Sequence, residues 1–136
     1  MASRLNPYVN FNGNARQALE FYASVFGGTP TFSTFADLGA ADSPDAERIM
    51  HGMLETDLGF TIMGADVTSD MEHHPMAGAS VSISGDDGDV LRGYWDKLSS
   101  GGTTTMPFQK QAWGDEFGMC VDKFGVPWMV DIIQSQ

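Results

Sequence analysis

An α+β fold built from two βαβββ modules is predicted by three observations in this chain of 136 residues. The length is that of one domain, at about 150 residues per domain. Apolar spacing switches from period two to a helical period and back, and it does so twice. Third, the first half of the sequence recurs in the second. Val9-Asn10-Phe11-Asn12-Gly13 lies on Val81-Ser82-Ile83-Ser84-Gly85, and Leu19 and Tyr22 lie on Leu91 and Tyr94, all 72 residues apart. Gly27-Gly28-Thr29 lies on Gly101-Gly102-Thr103 at 74 residues, and Gly52-Met53, Gly59 and Met63 lie on Gly118-Met119, Gly125 and Met129 at 66. The spacing changes only between elements, where loops absorb the difference.

Each element follows from local pattern. Tyr8-Val9-Asn10-Phe11 alternates and reads as a strand, closed by the turn residues Asn12-Gly13-Asn14. Ala15, Ala18, Leu19, Tyr22, Val25 and Phe26 then recur at helical spacing. Asn14 is the expected N-cap and Gly27-Gly28 the stop, giving a helix of about three turns. Thr29 to Phe35 is rich in β-formers, Arg48 to Thr56 is extended, and Asp57-Leu58-Gly59 turns the chain into Phe60-Thr61-Ile62-Met63. In the second half a strand over Ala79 to Ser84 leads to a helix from Asp87 to Leu98. Three strands follow, near Thr103, near Phe117, and over Pro127 to Ile133. The chain is therefore read as a single domain, 1–136, with module one at about 5–67 and module two at about 77–134. The acidic stretch from Ala36 to Glu47 and the connection from Thr68 to Gly78 read as exposed loops.

Composition narrows the function. Seven basic residues against 18 acidic ones leave a net charge of −11, which repels a phosphate backbone or an anionic membrane surface. Nucleic acid and membrane are not expected partners. No apolar run approaches the roughly 20 residues that span a bilayer, and Met1-Ala2-Ser3-Arg4-Leu5-Asn6-Pro7 lacks the apolar stretch of a signal peptide. A cytoplasmic location is the expectation. The single cysteine, Cys120, lies in the apolar run Phe117-Gly118-Met119-Cys120-Val121 and reads as a buried, inert thiol.

The runs Pro7-Tyr8-Val9-Asn10-Phe11-Asn12-Gly13-Asn14-Ala15, Ala18-Leu19-Glu20-Phe21-Tyr22 and Val25-Phe26-Gly27-Gly28 resemble the opening of PhnB-like proteins. These belong to the vicinal oxygen chelate superfamily, with glyoxalase I, bleomycin-resistance proteins and extradiol dioxygenases. Met106-Pro107, Trp113-Gly114 and Asp122-Lys123-Phe124-Gly125-Val126-Pro127-Trp128-Met129 are similar to the C-terminal signature of the same branch. The resemblance covers nearly the whole chain. It implies the glyoxalase/bleomycin resistance/dihydroxybiphenyl dioxygenase-like fold, in which each module curls into a half-barrel sheet. A homodimer and a ligand cavity inside the curled sheet are implied as well.

Metal-dependent members of that superfamily bind divalent ions through His and Glu on the concave strands, and such a site needs three or four converging donors. Here the first-strand slots fall near Asn6-Pro7-Tyr8 and Gly78-Ala79-Ser80, with neither imidazole nor carboxylate. The closing-strand slot falls on or beside Met129, whose repeat partner is Met63. No cofactor is therefore expected; the alternative is a divalent metal held by His51 with Glu55 or Asp131. His51, Met53 and Glu55 share one strand face by alternation, so His51 either contacts a ligand or is a half-buried histidine with a local partner. His73-His74 reads as loop. Met53, Met63 and Met119 suit a pocket for a flat or apolar molecule, though methionines also fill cores. Trp113, in the polar segment Gln109 to Asp115, is read as a pocket-rim or dimer-contact residue. The cavity candidates are thus His51, Met53, Glu55, Met63, Trp113, Met119 and Trp128. Two functions remain open: metal-free binding of a small, partly apolar molecule, or a divalent-metal-dependent lyase, isomerase or dioxygenase. No nucleophile constellation is present to name a catalytic residue, and no glycine-rich nucleotide loop follows the first strand, where Gly13 stands alone.

Overall fold

The structure, a computed structural model, describes residues 3–134. Residues 1, 2, 135 and 136, which include the start of the signal-peptide reading and both ends of the single-domain span, lie outside the described residues. Two compact units meet between Pro75 and Met76, inside the connection that the sequence places between the modules.

The first unit contains β1 (Tyr8–Phe11), α1 (Ala15–Phe26), β2 (Thr29–Thr34), β3 (Ile49–Glu55) and β4 (Thr61–Asp66). The second contains β5 (Val81–Gly85), α2 (Gly88–Ser99), β6 (Thr103–Lys110), β7 (Glu116–Val121) and β8 (Pro127–Ile132). Each unit is βαβββ, so the α+β class is as predicted. The strand orders match too: β1-β4-β3-β2 and β5-β8-β7-β6. In each sheet the first strand runs parallel to the last and the other neighbours are antiparallel. Neither sheet closes on itself. Among the described residues, no helix is long and apolar enough to cross a membrane.

Register supports the duplication in detail. Met53 pairs with Met63 and Met119 with Met129, so Gly52-Met53 and Gly118-Met119 occupy equivalent strands. The two hairpin turns also agree: Gly59 N donates to Thr56 O and Gly125 N to Asp122 O, both at 3.0 Å. Gly28 and Gly102 share a reason for having no side chain. A Cβ on either would lie 2.2 Å from a strand carbonyl, that of Glu55 or of Val121. The backbone comes off each helix too close to the sheet for any other residue.

Each helix covers one face of its sheet. Leu19 and Tyr22 of α1 are buried, as are Val9, Phe11 and Leu54 of the sheet. Gly52 leaves room for this, since a Cβ there would meet Leu19 Cδ1 at 2.6 Å. In the second unit Leu91, Trp95 and Leu98 pack with Ile83, Trp128 and Val130. Trp95 stacks on Phe108 with ring centroids 5.3 Å apart. Fully burying an aliphatic or aromatic side chain of this size contributes about 1.5–3 kcal/mol, so these two clusters stabilise the units.

Three expectations need correction. Asn14 occupies the N-cap position but makes no side-chain cap bond; instead Asp66, from β4, accepts from Gly13 N at 2.9 Å and Ala15 N at 3.0 Å. The strand expected from Ala79 starts at Val81. The 36–47 segment is not wholly exposed: it contains a short 3₁₀ turn, Ala36–Leu38, and Asp45 is buried. Asp45 Oδ2 accepts from both Ser69 N and Ser69 Oγ at 3.0 Å, so the segment is tied to the connection that follows β4.

Candidate functional site

Opposite the helix, each sheet presents an open face, and strand alternation assigns its residues. In the first unit Tyr8 and Asn10 of β1, Met63 of β4, and His51, Met53 and Glu55 of β3 alternate with buried neighbours and point away from α1. Four of the seven expected cavity residues, His51, Met53, Glu55 and Met63, therefore come together. Tyr8 Oη lies 3.3 Å from His51 Nδ1, and the rings stack at 5.9 Å. His51 thus has a local partner while remaining on the open face. Glu55 is engaged at the other end of the strand, where Arg4 Nη1 donates to its Oε1 at 3.2 Å.

In the second unit Ser82 and Ser84 of β5, Met129 and Asp131 of β8, and Phe117 and Met119 of β7 share the open face. Phe117 is directly opposite Asp131, and Met119 opposite Met129. Trp113 lies in the turn after β6, its ring edge-on to Phe117 at 5.8 Å. It is 63% exposed. Trp128 does not join this set. It lies on the helix face at 2% exposure, and its Nε1 donates to Asp122 Oδ2 at 2.8 Å.

Asp131 is the electrostatically unusual group on this face. Burial raises its pKa above the ordinary carboxylate value, and a hydrogen bond with Asp115 together with the charge of Asp115 adds to the shift. Its Oδ1 is buried with no hydrogen-bond partner among the described residues. Asp115 is held in place because its Oδ1 accepts from Gln134 N at 3.2 Å.

The thiol of Cys120 is buried beneath the opposite face, and burial, then the charge of Asp122, pushes its pKa up to about 11. Such a thiol is inert at neutral pH. His73 and His74 serve separate partners: His73 Nε2 donates to Asn10 O at 3.0 Å, and His74 Nε2 lies 3.8 Å from Glu72 Oε2. No group of three or more His, Cys, Asp or Glu side chains converges among the described residues. Tyr8 opposite Met63 on the first open face and Ser82 opposite Met129 on the second offer neither imidazole nor carboxylate. That donor set does not fit a hard divalent ion.

Sequence reasoning missed Tyr8 and Phe117 as site residues, although alternation with Asn10 and Met119 was available for both; Asp115 reads from sequence as part of a solvated acidic turn or as a nearby carboxylate. The two βαβββ units define the fold class, that of glyoxalase/bleomycin resistance/dioxygenase domains. Residues 3–131 match the model of the 3-demethylubiquinone-9 3-methyltransferase family, and the chain belongs to that family. Protein PA1353 from Pseudomonas aeruginosa is 31% identical, with a TM-score of 0.81 over 96% of this chain and 97% of that one. A PhnB protein from Bacillus cereus shares the fold at 21% identity, with a TM-score of 0.72 over 94% and 98% of the two chains. A glyoxylase/bleomycin resistance protein/dioxygenase domain from Frankia does so at 10% identity, with a TM-score of 0.68 over 98% and 99%.

Proposed function

We propose that this protein binds a small, partly apolar molecule on the open faces of its sheets, and does so without a metal. The observation that carries the reading is the repeated thioether pair. Met53 opposite Met63 and Met119 opposite Met129 place soft, adaptable side chains at matching points of both modules. The metal-dependent alternative has less support. His51 and Glu55 are four residues apart on one strand, about 13 Å at 3.3 Å per residue, and Glu55 already binds Arg4.

The family description speaks of methyl transfer. The turn after β1 gives that chemistry little support, because the amide-bearing start of α1, where an anionic cofactor group would sit, is taken by the Asp66 carboxylate. A homodimer is part of the same reading. Both sheets end in strands paired along one side within the sheet, and β6, eight residues long and exposed over most of its length, is the kind of edge that a second copy covers. Light scattering at micromolar concentration is expected to give about twice the 14.7 kDa chain mass; the single-chain mass would count against the dimer.

Native mass spectrometry of the protein as isolated tests the binding reading, and a bound organic mass without a metal is the expected result. Chelator treatment should leave the melting temperature unchanged. A native-state ion at a hundredfold excess over its Kd would add about 2.7 kcal/mol, on the order of 5–15 °C in a domain of this size. A fall of that kind, restored by one metal and lost in His51→Ala, overturns the reading in favour of the enzyme.

A further inference from the structure

We propose that the open face of the second module binds a small organic ammonium ion, with Asp131 as its counter-ion and Trp113 and Phe117 as its aromatic wall. The inference rests on the binding reading above and specifies the ligand's chemistry at one face.

Asp45, Asp66 and Asp122 are buried, and each is explained by what it holds. Asp66 accepts from the backbone of Gly13, Ala15 and Ile49. Asp122 accepts from Phe124 N, Val126 N and Trp128 Nε1. Asp45 takes both donors of Ser69 and lies 3.6 Å from Arg48 Nε. Among the described residues Asp131 holds no backbone group; the carboxyl of Asp115 is its side-chain neighbour, and its Oδ1 is a buried acceptor without a donor. A buried unsatisfied oxygen costs stability, and structural need does not account for this one.

Its surroundings indicate what would supply the missing donor. Asp131 sits mid-strand between Ser84 of β5 and Phe117 of β7, facing away from α2. Trp113, exposed and edge-on to Phe117, adds a second ring from the neighbouring turn. Aromatic faces attract cations, and a carboxylate pairs with an N–H-bearing cation better than with a neutral donor. No lysine or arginine ion pair reaches Asp131 among the described residues; Arg92, the cation bound near this strand end, pairs with Glu116 and Asp89 instead. The adjoining Met119 and Met129 offer the apolar body of such a molecule a soft floor. The net charge of −11 favours the approach of a cation.

The test titrates the full chain with 2-phenylethylammonium, its neutral isostere 2-phenylethanol, and the anion 3-phenylpropanoate, following the Trp113 indole N–H by NMR with Trp113→Phe as the assignment control. The ammonium ion is expected to perturb that resonance and to bind about ten-fold or more tightly than the alcohol, with the anion weakest. Asp131→Asn should remove the preference while leaving the alcohol's binding in place. Ser84→Lys, which sets a tethered ammonium beside Asp131, should independently block the ammonium probe. Equal binding of ammonium and alcohol overturns the inference and leaves the apolar-binding reading standing. Failure of all three to perturb Trp113 also overturns it, and native mass spectrometry then judges the broader reading independently.

Discussion

The two modules fold alike but anchor their helices by opposite means. In the first, Asp66 reaches from the end of β4 to the amide groups that open α1, while Asn14 at the cap position contributes no side-chain bond. In the second, Ile132 stands at the position equivalent to Asp66, and Asp87 caps α2 locally by accepting from Val90 N at 3.4 Å. The hairpin turns reverse the pattern. Thr56 holds its turn through one bond, from Phe60 N at 2.9 Å, whereas Asp122 at the equivalent position accepts three. What the duplicated fold preserves is the need to satisfy particular backbone donors. The residue that meets the need is free to move along the chain.

That contrast can be broken at four depths. Asp122→Ala and Asp66→Ala, each stranding three donors, are expected to cost about 3–5 kcal/mol in denaturant titrations, against about 1 kcal/mol for Thr56→Ala. Equal costs at positions 56 and 122 would show that the turns are not held differently. Next in size, Asp131→Asn should raise stability at pH 7 by up to about 1 kcal/mol, because it removes a charge from a group with a buried, unpartnered oxygen. The sign with pH follows. The raised pKa of Asp131 means that the native state holds its proton more tightly than the unfolded chain. Its stabilising contribution is therefore full below the ordinary carboxylate value and lost as pH rises through the raised one. Melting temperatures measured from pH 4 to 8 should show that loss in the parent protein and not in the variant.

Of comparable size, Asp87→Ala should destabilise by about 1 kcal/mol, the usual worth of an N-cap. Asn14→Ala should change stability by less than about 0.5 kcal/mol, since no cap bond is lost. If the Asn14 variant costs as much as the Asp87 variant, the first helix is capped locally after all.

Much of the fold was legible because periodicity is local information. Tyr8 to Phe11 alternates, Ala15 to Phe26 repeats at helical spacing, and the repeat of Gly52-Met53 at Gly118-Met119 locates equivalent strands without any contact being known. The site was half legible. His51, Met53, Glu55 and Met63 share a face as alternation requires. Trp128 was misplaced although the same rule was available: it adjoins Met129, and neighbours in a strand point to opposite faces. Asp66 and Asp45 were beyond reach, because their partners lie on other elements and no local pattern records them.

The distance over which each helix finds its cap also orders the folding of the chain. Asp87 is three residues from the amide it binds, and Asp66 is 51 residues from Ala15. A bond of the first kind can form while the chain is still open, but one of the second kind waits until β1 and β4 lie side by side, with the entropy of the intervening loop already lost. The second helix is thus equipped to form early, and the first is locked only when its sheet is complete. Kinetic analysis should find Asp87 contacts already present in the folding transition state and Asp66 contacts formed after it, so two near-copies of one topology would assemble in different sequences of events.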